Sequence, residues 1–308
     1  MKNISELIAQ KSGYKNLVDE LNERLSGSEL NSLLIELFRK RVKTISPAEL
    51  LRQFKKNRFA APSSIDPIPF REFELRCLRV ARDKNFKLVT LSPLAPLGTC
   101  SVTGFVDQNN VVSAVRGTEV VADATNVFAL LIASNFNKKN QHAVVRYAAA
   151  QRHVRSQALS NPAFTPHFGI FCLATGGLDT GDFSFELKNL EEHIGLHLAI
   201  LSNELGKDNL SLKILLKGHN EVLHGKLKPL VKKFSSSSKI EIVKEMNHTN
   251  YYNFLQFRFY FNHNGEEINL SDGGFVDWTQ KLIANKKHRL LISGLGTDLI
   301  YKIKESMA

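Results

Sequence analysis

Four short segments of this 308-residue chain hold residue types that could do chemistry at a small-molecule site. Asp123-Ala124-Thr125 stands before the apolar run NVFALLIA, so a carboxylate and a hydroxyl sit at a helix start. Facing a cleft, that pair would hold a small amine. Facing its own backbone, it would cap the helix. Arg155-Ser156-Gln157 ends a strand-like run and offers a guanidinium suited to phosphate, or an ordinary exposed strand arginine. Tyr251-Tyr252 leads into alternating apolar residues, and Gly273-Gly274 lies in the run that follows an Asn-Gly turn. Glycines there permit a tight approach of a ligand or a neighbouring strand. Gly294-Leu295-Gly296 makes a GxG corner between a strand and the last helix, a weak signal alone.

Other chemistries find little support. His193 and His197 share a helix with Glu192, but EHIGLH is not the HExxH zinc pattern, and no metal site is expected. The two histidines read as the polar face of a long helix. Cys77, Cys100 and Cys172 are far apart, with no zinc-ligand spacing, and read as reduced, mostly buried thiols. There is no GxSxG elbow and no Walker loop.

The elements that must position these residues are legible from periodicity. Residues 2 to 58 read as helices, with Leu30, Leu33, Leu34, Leu37 and Phe38 at helical spacing. Ser28 precedes one run, and Ser46-Pro47 opens another as cap and first-turn proline. A Pro- and Ser-rich linker, residues 60 to 67, divides a helical N-terminal module (1–60) from a main domain (68–308). There the pattern predicts a helix over 68–83, a strand over 86–91, a loop over 92–105, a strand-like stretch over 111–115 and an amphipathic helix over 123–136. Strands follow at 144–155 and 167–174, then a helix at 185–205, a strand at 210–216, a helix at 221–234 and a strand at 239–245. The hairpin, a helix at 276–286, a strand at 288–292 and a last helix complete the chain. Strands arriving both in hairpins and singly between helices predict an α+β fold with a mostly antiparallel sheet flanked by helices.

Composition bounds the function. Hydrophobic residues make up 43% and charged residues 23%, as in ordinary globular chains. No window approaches a membrane span, and the N-terminus lacks a signal-peptide pattern, so a cytoplasmic protein is expected. The net charge of +11 favours polyanions or acidic ligands. The basic runs at 39–43, 55–58 and 226–233 are short, however, and read as solvated faces.

In order and spacing, the four segments resemble the histidyl-tRNA synthetase branch of the class II aminoacyl-tRNA synthetases over residues 110 to 302. The resemblance implies that Asp123 and Thr125 take the ammonium group of an amino-acid-like ligand, with Tyr251, Tyr252, Gly273 and Gly274 completing that subsite. RYAAAQRHVRSQ, residues 146–157, is similar to motif 2. It implies a nucleotide site of Arg155, on the α-phosphate, and Gln157, with Gly294 and Gly296 from the motif 3 corner. ATP with magnesium is the implied cofactor. The pattern also departs from the family. Ile170 and Ala174 stand where family members read histidine. Asn247 and Phe275 stand where RGLDYY and GGRYD carry arginine, and Leu299 replaces the motif 3 arginine.

Adenylate formation spreads charge over phosphates that arginines and magnesium stabilise, and each lost contact costs on the order of 10² to 10³ in rate. The expectation is therefore a paralogue that binds a small amino-acid-like or nucleotide ligand in a regulatory or sensing role and does not charge tRNA. It is similar in kind to the ATP phosphoribosyltransferase regulatory subunit, without an anticodon-binding domain. A homodimer is implied, with residues 91–99 near its interface, and a protein partner is possible. One alternative is an active ligase that adenylates an amino acid for a non-tRNA acceptor, with Arg116, Arg152 or Arg258 replacing the missing arginines. The other is an RNA-binding protein using the basic N-terminal helices. There Phe38 and Phe54 sit at core-like spacing rather than as exposed stacking residues.

Overall fold

The computed structural model describes residues 3–136, 142–157, 165–218, 221–236, 238–243 and 251–307. The chain opens with helices α1 (Ile4–Ser12), α2 (Leu17–Arg24), α3 (Gly27–Val42) and α4 (Pro47–Lys56), none of which buries a residue. Their starts are chemically specified. Ser26, not Ser28, caps α3 in a reciprocal capping box with Glu29, and Ser46 caps α4 ahead of Pro47. Phe38 and Phe54, at core-like spacing in the sequence, are 51% and 53% exposed.

Next come α5 (Pro67–Asp83), β1 (Lys87–Leu88), β2 (Leu94–Pro96), α6 (Thr99–Gly104), a 3₁₀ turn at Gln108–Asn110, β3 (Ser113–Ala114) and β4 (Thr118–Val120). The stretch expected as a loop, 92–105, thus holds a short strand and a helix. Buried Glu119 explains the helix: its carboxylate accepts the backbone N–H groups of Gly98 at 2.8 Å and Cys100 at 2.9 Å, pinning the start of α6. Then follow α7 (Ala124–Asn135), β5 (Val145–Val154), β6 (His167–Leu178), α8 (Ser184–Leu205), β7 (Leu210–Leu216), α9 (Glu221–Phe234) and β8 (Lys239–Val243). The chain continues with β9 (Leu255–His263), β10 (Glu266–Val276), α10 (Trp278–Leu282), β11 (His288–Gly296) and α11 (Thr297–Met307).

The main sheet runs β1-β5-β6-β11-β10-β9-β7-β8, antiparallel except where β1 and β8 add to its ends in parallel. A small sheet, β2-β4-β3, lies apart. The expected α+β architecture with a mostly antiparallel, helix-flanked sheet is what the chain adopts. Two packed clusters sit on opposite faces of the sheet. Helices α5, α8, α9 and α11 cover one face with residues such as Phe73, Ile194, Leu227 and Ile300. Helices α7 and α10 cover part of the other with Phe128, Ile132 and Trp278. Helix α7 is not amphipathic as its pattern suggested. Ala124, Phe128, Ala129 and Ile132 are buried along with the polar Thr125 and Asn126, because α7 packs between the sheet and α6 and α10.

Strand β9, LQFRFYFNH, shows how the sheet is patterned. Leu255, Phe257, Phe259 and Phe261 point into the helix-side core, and the intervening Gln256, Arg258 and Tyr260 take the other face. The Asn264-Gly265 turn has positive φ at both residues, 54° and 86°, as a two-residue type I′ hairpin requires. The histidines of α8 differ from expectation. His193 and His197 are fully buried against the sheet rather than forming a solvated face. His193 bonds Thr175 Oγ1 at 2.9 Å and Ser293 Oγ at 2.8 Å, and Ser293 also reaches His197 at 3.0 Å. Burial drives both pKa values down, that of His197 to about 3, so both rings are neutral.

Candidate functional site

On the face of the sheet away from the four-helix layer lies a cavity of about 450 Å³. Its walls come from the ends of β5, β6 and β11, the start of α7, the β9–β10 hairpin and the α6 segment. Asp123, Thr125, Arg155, Gln157, Tyr251, Tyr252, Gly294 and Gly296 all line it. Residues drawn from four separated sequence segments are thus gathered in one place.

The first pole is centred on Asp123. Its extended backbone makes it the N-cap of α7, and Oδ1 accepts Thr125 N at 2.9 Å and Thr125 Oγ1 at 2.7 Å. Its Oδ2 accepts the Tyr251 hydroxyl at 2.9 Å and lies 3.8 Å from the Arg155 guanidinium. Capping and cavity-facing roles are therefore held by different oxygens of one carboxylate. Burial alone would raise its pKa. The Arg155 charge and the Thr125 donors outweigh burial and hold it below the usual carboxylate range. Arg155 is itself positioned by a bond from Nε to Ala122 O at 3.0 Å and by stacking over Phe168. Beneath it, His153 accepts the Ala124 N–H at 2.9 Å through Nε2, with its pKa pushed down to about 4 by burial. Burial and then the Asp123 charge raise the Tyr251 pKa, so this phenol remains a donor.

The second pole was not legible as a site in the sequence, although Arg258 stood there as a candidate replacement arginine. Arg258 on β9 and Asp272 on β10 are opposed in register, with Nε 3.8 Å from Oδ1. Gln256 donates to the same Oδ1 at 2.6 Å. The juxtaposition depends on a bulge. From the turn to Asn269 the pairing puts Tyr260 opposite Asn269, but Ser271 already pairs with Phe259, leaving Leu270 as the extra residue. Without that slip Asp272 would face Phe257 and point into the helix-side core. Arg116, in the β3–β4 turn, and Arg152, held by Asp298 and His167, do not line the cavity.

Gly273 and Gly274 are not part of the lining. A Cβ on Gly273 would lie 2.5 Å from the Phe257 ring, on the helix side. One on Gly274 would lie 2.4 Å from Leu255 O and 2.6 Å from the Tyr252 ring. Gly274 thus lets Tyr252 lie flat against the strand, and its part in the site runs through that ring. Phe275 stacks on Phe254, with centroids 5.1 Å apart, and faces away from the cavity. Leu299 packs on the helix-side cluster, while the preceding Asp298 takes Gly169 N at 2.8 Å. Ile170 lines the cavity and Ala174 does not. Asn247 lies outside the described residues. Cys100 and Cys172 add thiols that burial keeps protonated, the former pushed up to about 12.

Among the described residues no group of three or more His, Cys, Asp or Glu could hold a metal ion. Among the described residues the cavity pairs two guanidiniums with two carboxylates, so these charges balance. That donor set suits a zwitterion better than a magnesium–triphosphate, which needs excess cations for its phosphates and free carboxylates for its metal.

No protein-family model matches the sequence, and no curated protein sequence does. Solved structures do match in fold. An ATP phosphoribosyltransferase regulatory subunit/histidyl-tRNA synthetase from Bacillus halodurans superposes with a TM-score of 0.63 at 13% identity, over 80% of this chain and 82% of that one. Histidyl-tRNA synthetase of S. aureus gives 0.59 at 11%, over 79% and 68%. A histidine–tRNA ligase subunit from Alicyclobacillus acidocaldarius gives 0.57 at 10%, over 80% and 96%. The chain has the fold of the class II synthetase catalytic core. Among the described residues, no helix is long and apolar enough to cross a membrane.

Proposed function

We propose that this chain is a histidyl-tRNA synthetase-like paralogue that binds a small amino-acid-like ligand in the cavity, in a regulatory or sensing role, and does not charge tRNA. The observation that carries the reading is the Asp123 cluster. A carboxylate held ionised beside Arg155, with a tyrosine donor, is built to take an ammonium group next to an anionic one. Arg155 would hold the ligand carboxylate and Asp123 Oδ2 its ammonium, displacing the Tyr251 hydroxyl. The likeness to a regulatory subunit supports a role exerted through a protein partner, and a homodimer is part of the same reading.

A second reading is favoured by Arg258. A guanidinium in the cavity could supply phosphate contacts that the family arginines give elsewhere, and the chain would then adenylate an amino acid for a non-tRNA acceptor. Isothermal titration with ATP and a panel of amino acids, run beside pyrophosphate exchange, separates the two. Amino-acid binding without exchange supports the sensor, and amino-acid-dependent exchange supports the ligase. Binding of neither ligand overturns both and leaves RNA binding by the N-terminal helices to be tested by salt-dependent gel shift.

A further inference from the structure

The second pole of the cavity has a chemistry of its own. Arg258 Nε is buried and has no hydrogen-bond acceptor, since Asp272 Oδ1 at 3.8 Å is beyond hydrogen-bond reach. The unmet donor therefore sits beside a carboxylate whose Oδ1 accepts Gln256 and which the Tyr252 hydroxyl and the Gly273 N–H also face, so a ligand donor there would take the place of the tyrosine. A buried donor without a partner is costly, and a ligand acceptor placed there removes that cost. The pole also discriminates by charge. A ligand carboxylate could pair with Arg258 but would be set against Asp272. A ligand ammonium could pair with Asp272 but would be set against Arg258. A neutral group carrying an acceptor and a donor side by side satisfies both and leaves no uncompensated charge.

The two poles line one cavity and are linked by neighbouring tyrosines. Tyr251 and Tyr252 are adjacent in sequence and their ring centres are 4.8 Å apart. Tyr251 donates to Asp123, and Tyr252 lies close enough to Asp272 for that charge, after burial, to raise its pKa. Ile170, Cys172 and Ile292 give the same cavity an apolar lining that suits a methylene stem.

We propose that the cavity, if it is an amino-acid site as read above, takes an α-amino acid whose side chain ends in a neutral amide-type group, carboxamide or ureido. Arg258 donates to the carbonyl oxygen of that group and Asp272 accepts from its NH₂. This inference rests on the amino-acid reading of the Asp123 pole and assigns the specificity to a different pair of residues.

The test is isothermal titration of the whole chain with asparagine, glutamine, citrulline, aspartate, glutamate, lysine and ornithine as free amino acids. An amide or ureido amino acid should bind at least about tenfold tighter than its carboxylate or ammonium counterpart of similar length. Two variants turn the preference by charge. Asp272→Asn leaves Arg258 unbalanced and should shift the preference to glutamate or aspartate. Arg258→Met leaves Asp272 unbalanced and should shift it to lysine or ornithine. Circular dichroism and thermal melts confirm that each variant is folded. Should a variant fail to fold, the wild-type ranking decides. Tighter binding of an acidic or basic amino acid to the wild type, equal binding of all side chains, or an unchanged ranking in both folded variants overturns the proposal and leaves the amino-acid reading standing. Failure of every α-amino acid to bind overturns both. The Asp123→Asn variant marks the difference, since it should weaken all α-amino acids alike without changing their order.

Discussion

Strand β9 serves two regions that follow different rules. Toward the helices it presents Leu255, Phe257, Phe259 and Phe261, all buried and all apolar, against α8 and its neighbours. Toward the cavity it presents Gln256 and Arg258, which meet Asp272 from the adjacent strand. The helix-side face gains from excluding water around groups that need no partner, and its polar members, His193, Ser293 and Thr175, bond one another. The cavity face keeps charges in incomplete geometry: 3.8 Å for Arg155 to Asp123 and 3.8 Å for Arg258 to Asp272. What stays unmatched beside the phenylalanines of β9 is neutral, the Nδ1 of His197, whereas what stays unmatched on the cavity face belongs to a charged group, the Nε of Arg258. That difference separates a core from a site more sharply than residue type does, because both faces carry polar side chains.

The contrast can be broken from the helix side first. Phe257→Ala deletes a fully buried ring packed edge-on to His197 and Phe259, and should cost about 3–5 kcal/mol in denaturant unfolding. Arg258→Met, one residue away on the other face, should cost far less. Comparable losses for the two would show that the cavity face is core as well. Acid tests the same face. The buried His193 and His197 have pKa values depressed below the ordinary 6.5, so the unfolded chain takes up protons that the folded one refuses. Their contribution is therefore complete above pH 6.5 and falls as pH drops below it. For His197, with its pKa near 3, the cost is about 1.4 kcal/mol per pH unit, or roughly 2 kcal/mol between pH 6.5 and 5, and His193 acts in the same direction. Urea midpoints across that range check it. His197→Phe should flatten the slope, and an unchanged slope would mean that α8 is not packed as described.

Much of this division is legible in the residues, for identifiable reasons. The FxFxF alternation of β9 and the Asn-Gly turn announce the hairpin, since period and turn chemistry are local. The convergence of Asp123, Arg155, Tyr251 and Tyr252 on one cavity follows from segments that each carry a recognisable pattern in the expected order. The second pole was hidden because it depends on the slip at Leu270, which no residue type signals, and which alone brings Asp272 across from Arg258. The burial of His193 and His197 was missed because α8 carries apolar residues on most of its circumference, so no solvent face can be read from its period. The exposure of Phe38 and Phe54 runs the other way, since helical spacing says which residues share a face and not whether anything covers it.

Gly274→Ala tests how the two faces are joined. The added methyl would lie 2.4 Å from Leu255 O and 2.6 Å from the Tyr252 ring, so the ring or the strand must move. A loss of about 1–3 kcal/mol is expected in denaturant melts, with ligand binding weakened through Tyr252. A variant as stable as the wild type with unaltered binding would show that the close approach does not matter.

Asp123→Asn has the smallest expected effect on stability and the largest on binding. Asparagine caps helices about as well as aspartate, so α7 keeps its N-terminal partner through Thr125 N. The ion pair with Arg155 that is removed is partly exposed, with Arg155 34% and Asp123 18% accessible, and such pairs are worth at most about 1 kcal/mol. The melting temperature should therefore move by only a few degrees. What the substitution does remove is the charge that neighbours hold in place despite burial, and among the described residues no other carboxylate lines the cavity at that pole. Titration should show amino-acid binding weakened by at least about tenfold, the scale of one charge-assisted contact. A stable variant that binds as tightly as the wild type would assign Asp123 to the helix alone and make this end of the cavity part of the scaffold rather than of a site.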